Sequence, residues 1–175
     1  MAEQVTYVFN RKVAEMAVNL LMPTIQRMVP ALSWGPDGAV IVLMGPDNVP
    51  HVFVMTELYT FVDGHERFKE IASAKMLTIQ RNGVATGHTL AVDPAGLMST
   101  DTVYAGGEVH GSLYCAVSGF KAFGDAAVAR LVLEMAQFIC RAIVEEILTE
   151  DASTYVGDSL EFAREKVISK LSIRS

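Results

Sequence analysis

The stretch VSGFKAFGD, residues 117–125, decides how this chain folds, because an apolar run ends there in small residues and a helical pattern begins at an aspartate. The apolar residues that lead into Ser118 and Gly119 predict a strand that ends in a tight turn. Asp125 predicts the N-cap of a helix, since its oxygens accept hydrogen bonds from free N–H groups. Such a junction aims N–H groups at one spot, which predicts a pocket for an anion or a polar ligand.

The segments ahead of this junction predict a helix, a hairpin and a second helix. Asn10 is placed to cap a helix with a period of 3.6 residues, which Pro23 either kinks or divides into two. The runs 39–44 and 51–55 are rich in β-branched residues and predict an antiparallel pair of strands. Residues 64–81 return to a helical pattern.

The remaining segments predict a long loop, a strand and a long helix. Residues 84–107 are rich in Gly, Thr, Asp and Ala and predict a binding loop, since long loops in compact domains often have that role. His110 and Gly111 turn the chain into a strand predicted over 112–117. The helix predicted over 125–149 carries more than one apolar stripe, so we expect it to pack on two sides.

The end of the chain predicts a separate amphipathic helix. Residues 153–157 have turn composition, and a helix is predicted from Asp158 onward. We therefore expect one domain over residues 1–152 and a helical extension over 153–175. The extension docks either on its own globule or on a neighbouring subunit.

Composition narrows the classes of protein. The net charge is −6 and the 14 Lys and Arg residues are scattered, which argues against a nucleic-acid partner. No apolar run is long enough to span a membrane and no leader is visible, so we expect a cytoplasmic protein. The mean hydropathy of +0.31 is high for a lone domain, and a subunit interface in a homo-oligomer is the simplest place for the surplus apolar surface.

Lys75 is the main candidate for chemistry. It lies four residues from both Ile71 and Ile79, on the apolar stripe of its predicted helix. A lysine in that place extends to solvent along the apolar surface, pairs with an acid or faces a ligand. Thr78 lies one turn further on and shares the same alternatives.

The other chemistry-bearing residues form no standard signature. His88 and His110 flank the predicted long loop and are the better histidine candidates for an acid/base role or an axial ligand. The histidines and cysteines form no HExxH, no His pair at i and i+4 and no CxxC, so no metal site is predicted. Ser118 lacks the flanking glycines of a nucleophile elbow, which disfavours a serine hydrolase.

The chain resembles the GlcG/HbpS-like family, also called the haem-degrading domain and found as the C-terminal part of PduO-type proteins. The helix IASAKMLT, residues 71–78, is similar to the family motif IAxxKAxTA. Gly106 and Gly107 resemble the start of its GG-V/I-P-I strand. Residues 117–129 are similar to its GVSG-x5-D-x-x-VA block.

The resemblance implies an α+β, profilin-like fold, in which helices pack on an antiparallel sheet and the subunits form dimers or larger rings. Members of this family are linked to haem or corrinoid binding, so the resemblance implies a ligand of this kind. The residues that it places around the pocket are Lys75, Thr78, Gly106, Gly107, Ser118, Gly119 and Asp125. From the residues themselves, His110 joins this ligand-binding set.

Two functions follow from these observations, and the high apolar content also favours a third, a structural partner subunit. The first is an oligomeric protein that binds an anionic metabolite or a haem-like tetrapyrrole between the Lys75 helix and the 117–125 junction. The second is a catabolic enzyme that acts on a small aromatic or oxo-acid metabolite, with Lys75 or His88 as acid/base, because a desolvated lysine can lose its proton near neutral pH.

Overall fold

The computed structural model describes residues 7–32, 39–55, 65–150 and 156–172. Within these ranges the chain forms five α-helices and four β-strands. The helices are α1 (Arg11–Leu32), α2 (His65–Asn82), α3 (Thr86–Val92), α4 (Ala122–Glu150) and α5 (Val156–Ser172). The strands are β1 (Ala39–Met44), β2 (Pro50–Met55), β3 (Gly107–His110) and β4 (Leu113–Ser118).

The four strands form one antiparallel sheet in the order β2-β1-β4-β3. The central strand β1 pairs with both neighbours, so that Val42 lies opposite Val52 on one side and Ala116 on the other. Helices pack on this antiparallel sheet, and the predicted α+β class is therefore confirmed. The hairpin predicted from the two β-branched runs is also confirmed.

The two faces of the sheet are covered by different helices. Ile41 and Val117 lie on the face that packs against α1 and α4, in the larger of two buried clusters. Val42 and Ala116 lie on the opposite face, where α2 supplies the covering residues. The inner side of α2 is therefore pressed against the middle of the sheet. This packing carries Lys75 into the interior.

The first helix confirms its predicted cap. The Val13 N–H donates to Asn10 Oδ1 at 3.2 Å, which satisfies one of the free donors at the start of α1. The helix continues from Arg11 to Leu32, so Pro23 does not start a second helix.

Some predicted boundaries differ from the structure. The long helix α4 begins at Ala122, and the Gly124 and Asp125 N–H groups donate to Lys121 O. The prediction that Asp125 is the N-cap is wrong, because its carboxylate lies one turn inside the helix and accepts from Phe120 N–H instead. The strand β4 covers 113–118 rather than 112–117.

The segment predicted as one long loop contains regular structure. It holds α3, a short 3-10 turn at Pro94–Gly96 and the start of β3. The short helix α3 is built largely from Thr, Gly and His, so it has no apolar period from which a helix is predicted.

The last helix packs against α4. Leu160, Ala163 and Val167 belong to the same buried cluster as the core of α4. The helix α5 begins at Val156, two residues before the predicted start, and most of the turn predicted over 153–157 lies outside the described residues. Within the described ranges, no helix has the length and apolar character needed to cross a membrane.

Candidate functional site

Lys75 is fully buried and its amine is bonded on two sides. The side chain is 0 % exposed, and Nζ donates to Asp125 Oδ2 and to Val117 O, each at 2.7 Å. Lys75 comes from α2, Val117 from β4 and Asp125 from the first turn of α4. One amine therefore joins the helix on one face of the sheet to the strand and to the helix on the other face.

The carboxylate of Asp125 completes this buried group. Its second oxygen, Oδ1, accepts from Phe120 N–H at 2.8 Å and so holds the turn between β4 and α4. Burial raises the pKa of Asp125 to about 6, while Lys75 and the Phe120 N–H act in the opposite direction. Burial also lowers the pKa of Lys75, and Asp125 partly offsets that effect.

Gly106 closes the space next to the ion pair. A β-carbon at this position would lie 2.5 Å from Asp125 Cβ and 2.9 Å from both Lys75 Nζ and Val117 O. The backbone of Gly106 also has φ +121°, which favours glycine. The space between Lys75 and the 117–125 junction is thus filled by the protein's own lysine, aspartate and glycine backbone.

Gly107 has a matching role one residue later. A β-carbon there would lie 2.7 Å from Ile79 Cγ2 and 2.9 Å from Thr86 Cγ2. The Gly107 N–H donates to Thr86 Oγ1 at 3.0 Å. The two glycines therefore let the backbone of residues 106–107 approach α2 and α3 closely.

Thr78 lies one turn after Lys75 and contacts Asp101, a residue that no sequence motif indicates. Its Oγ1 lies 2.8 Å from Asp101 Oδ1 and 2.9 Å from Ala74 O, and the hydroxyl donates to one of these oxygens. Asp101 also accepts from Met98 N–H at 2.8 Å and from Arg81 Nη1 at 3.2 Å. These contacts fasten the 98–101 loop to α2.

The charges of this second group are strongly coupled. Hydrogen bonds from the Arg81 guanidinium lower the pKa of Asp101 to about 2, and the Met98 N–H and the Thr78 hydroxyl act in the same direction. Arg81 also donates to Gly96 O at 3.4 Å. Asp101 falls within the predicted binding loop, but no spacing rule connects it to residues twenty positions away.

A groove of about 760 Å³ runs between the outer side of α2 and the 98–101 loop. We call it the α2 groove. Two exposed apolar side chains line it, Leu77 at 63 % and Met98 at 55 % exposure. Its polar lining includes Lys69, Ser73, Arg81, Thr100, Glu66 and Glu70. The buried lysine and the groove therefore lie on opposite sides of the same helix.

The remaining predicted residues lie apart from the groove lining. Ser118 is buried at the end of β4, and Gly119 has φ +136°, which lets the chain turn toward α4. His88 is exposed on α3, and no hydrogen bond or ion pair among the described residues connects it to Lys75. His110 Nδ1 lies 3.3 Å from Glu134 at the end of β3.

The described residues form no cluster of three His, Cys, Asp or Glu side chains that would hold a metal ion. The two cysteines are both free. Cys115 is buried in the sheet and Cys140 is partly buried on α4.

Comparison with known proteins gives a structural match. No protein-family model and no curated protein matches this sequence. The crystal structure of ORFY from Klebsiella pneumoniae, described as DUF336, matches with a TM-score of 0.52 at 14 % identity, over 78 % of this chain and 96 % of ORFY.

Two other solved structures match less well. A PduOC:haem complex has a TM-score of 0.48 at 15 % identity, over 76 % of this chain and 95 % of PduOC. Ybr137w has a TM-score of 0.49 at 17 % identity, over 70 % of this chain and 77 % of Ybr137w. Both TM-scores lie below 0.5, whereas the TM-score of ORFY lies above 0.5. The chain has the α+β fold of ORFY, a protein described as DUF336.

Proposed function

We propose that this chain is a small-ligand-binding protein of the GlcG/HbpS-like type that holds its ligand in the α2 groove. The observation that carries the proposal is the groove itself. Its volume of about 760 Å³ lies within the usual range of small-molecule sites, about 300–1,000 Å³. Sites of this kind combine an apolar surface with a few polar groups that orient the ligand.

The lining indicates the class of ligand. Leu77 and Met98 offer exposed apolar surface to the body of a molecule. Lys69 Nζ lies 3.9 Å from Glu66 Oε2 in an exposed pair, so its ammonium is only weakly engaged and is available to a carboxylate. An amphipathic carboxylate fits these groups. This class includes both alternatives predicted from the sequence, an anionic metabolite and a haem-like tetrapyrrole.

Haem is compatible with the donors present. The Met98 thioether is a side chain of the kind that ligates haem iron, and Lys69 offers a cation for a haem carboxylate. Bound haem would supply redox chemistry at its iron. The chain's own residues would bind and orient it.

The residues predicted from the sequence lie behind the α2 groove and hold its walls in position. Lys75 and Asp125 hold α2 against the core, and Gly106 and Gly107 allow the close approach that this requires. Thr78 holds the loop wall through Asp101. Ser118, Gly119 and His110 shape the strands and turns that carry these contacts. In this proposal Lys75 is a positioning residue.

The test is binding by the intact chain. Haem and a panel of small aromatic and aliphatic carboxylates are titrated while melting temperature and haem absorbance are recorded, because a ligand that binds only the native state raises its stability. We expect at least one compound to raise the melting temperature. The variant Leu77→Glu should abolish the shift, while Val92→Glu, a matched change at another exposed apolar residue, should preserve it. Equal shifts in both variants would place the ligand elsewhere.

A second candidate function is catalysis at Lys75. The observation in its favour is a buried amine with a lowered pKa beside a carboxyl with a raised pKa, an arrangement that can exchange a proton. Borohydride reduction in the presence of oxo-acids, followed by peptide mass spectrometry, tests for a Schiff base at this residue. An unmodified Lys75 after reduction counts against this route. The cytoplasmic location and a role in catabolism stay predictions from the sequence.

A further inference from the structure

The outer side of α4 carries a stripe of exposed residues away from the α2 groove. The residues of this stripe are separated alternately by four and by three positions, which is the spacing of the residues that face the partner helix in a coiled coil. Two of them are large and apolar, Phe138 at 55 % and Leu148 at 73 % exposure. We call this surface the α4 stripe, and its residues are Glu134, Phe138, Arg141, Glu145 and Leu148.

The α4 stripe is complementary to itself. Phe138 and Leu148 lie at equal distances before and after Ile143, and so do Arg141 and Glu145. In two antiparallel copies of the helix that cross at Ile143, Phe138 therefore faces Leu148 of the second copy. Arg141 then faces Glu145 of the second copy. A contact of this form is isologous, as a two-fold axis requires.

The two charges of the stripe are available for such a contact. In the part of the chain that the structure describes, neither Arg141 nor Glu145 has an ion-pair partner. Arg141 and Glu145 are four residues apart on one helix, but the basic residue precedes the acidic one. An ion pair within a helix is weaker in this order than in the reverse order. In a two-fold dimer, each Arg141 would pair with Glu145 of the other copy, so that two ion pairs would form.

The surface next to the stripe has room for a partner. A groove of about 300 Å³ lies between α4 and α5, and its α4 side is formed by Phe138, Ala142, Glu145, Glu146 and Thr149. Val167, Lys170 and Leu171 form its α5 side. Side chains of a second α4 helix would find apolar surface there.

We infer that two copies of this chain associate through antiparallel α4 helices, with a two-fold axis at Ile143. This inference is independent of the proposed ligand site, because the α2 groove lies on a different helix. The paired segment between Phe138 and Leu148 is about 15 Å long. An interface of this size is small, so we expect a dissociation constant on the order of 1–100 μM.

Charge exchange tests the pairing. Sedimentation velocity over a wide concentration range measures the mass of the wild type and its variants. Arg141→Glu and Glu145→Arg each place like charges opposite each other, and we expect each to weaken association at least about tenfold. The double variant R141E/E145R restores the opposite charges and should recover dimers. Arg67→Glu makes the same change of charge at an exposed residue of α2. This matched control should associate like the wild type.

Disulfide trapping tests the direction of the helices. In a Cys140→Ala background, the double variant F138C/L148C should form a covalent dimer on oxidation, because position 138 faces position 148 of the second copy. Each single cysteine should stay monomeric, since equivalent positions lie about 15 Å apart along the pair. A wild type that is monomeric at several hundred μM, association unchanged in Arg141→Glu, or crosslinking of the single variants would each overturn the inference.

Discussion

Lys75 and Asp125 are 50 residues apart in the sequence, and their side chains meet at 2.7 Å in the interior. Removal of two charges from water costs several kcal/mol for each ion, and the attraction between them offsets that cost only when the geometry is good and the remaining atoms are bonded. Here the backbone supplies the additional partners, Val117 O for the amine and Phe120 N–H for the carboxylate. Loss of one partner is therefore more damaging than loss of both.

The first prediction concerns this pair. Lys75→Met leaves Asp125 buried without its cation and should lower the free energy of unfolding by about 3–5 kcal/mol. The double variant K75M/D125N removes both charges but keeps an oxygen for Phe120 N–H, so it should recover at least half of that loss. Urea denaturation measures both values. Lys69→Met, at an exposed position of the same helix, is the control and should change stability little. A double variant less stable than Lys75→Met would contradict this account.

The second prediction concerns the glycine beside the pair. Gly106→Ala adds a methyl group where three atoms lie within 3 Å and φ is +121°, so stability should fall by more than about 1 kcal/mol. Gly87→Ala is the matched change. Its nearest neighbour would be Ala105 Cβ at 3.7 Å, an ordinary contact, and alanine favours the helix. Thermal melts of the two variants should therefore move in opposite directions or differ by several degrees.

The third prediction concerns acid stability. The pKa of Asp101 is about 2 in the folded protein, below its ordinary value of 3.8, so the unfolded state binds the proton first as pH falls. The stabilisation from Asp101 is fully present above about pH 4 and is lost between about pH 4 and pH 2. Asp101→Asn should be less stable than the wild type at pH 6. The difference should shrink as pH falls to 2, and a constant difference in urea midpoints would refute the assignment.

The fourth prediction concerns His51, whose Nε2 is buried and has no hydrogen-bond partner among the described residues. Burial lowers the pKa of His51 below its ordinary value of 6.5. As pH falls through about 6.5, the unfolded state therefore binds a proton at His51 before the folded state does. The contribution of His51 to stability should therefore fall between pH 7.5 and 5.5. His51→Leu should lose part of this slope, whereas His88→Gln, at an exposed histidine, should keep it.

Local features of the fold were predictable from the sequence, because their causes lie within a few residues. The cap at Asn10 and the β1–β2 hairpin are of this kind, since a side-chain oxygen and a run of β-branched residues act on their immediate neighbours. The helix α3 was missed, because it is short and polar and obtains support from Gly107 through Thr86. That support depends on tertiary structure and leaves no periodic signal.

The candidate site was predictable only in part. The position of Lys75 on an apolar stripe allowed three outcomes, and pairing with an acid is the one that the structure shows. The identity of the acid was not predictable, because a helix-start aspartate such as Asp125 has the same local pattern whether it caps its helix or binds a distant lysine. Asp101 and Arg81 were missed for the same reason, since their contact spans 20 residues.

The complete burial of the Lys75 amine gives the chain an internal reporter of its own opening. Reagents that acetylate amines reach the exposed lysines of the native protein directly, but they reach this one only when α2 separates from the sheet. The rate of acetylation at Lys75, read by peptide mass spectrometry, therefore measures how often that helix detaches. A compound that seats on the outer surface of α2 should slow this rate without touching the lysine.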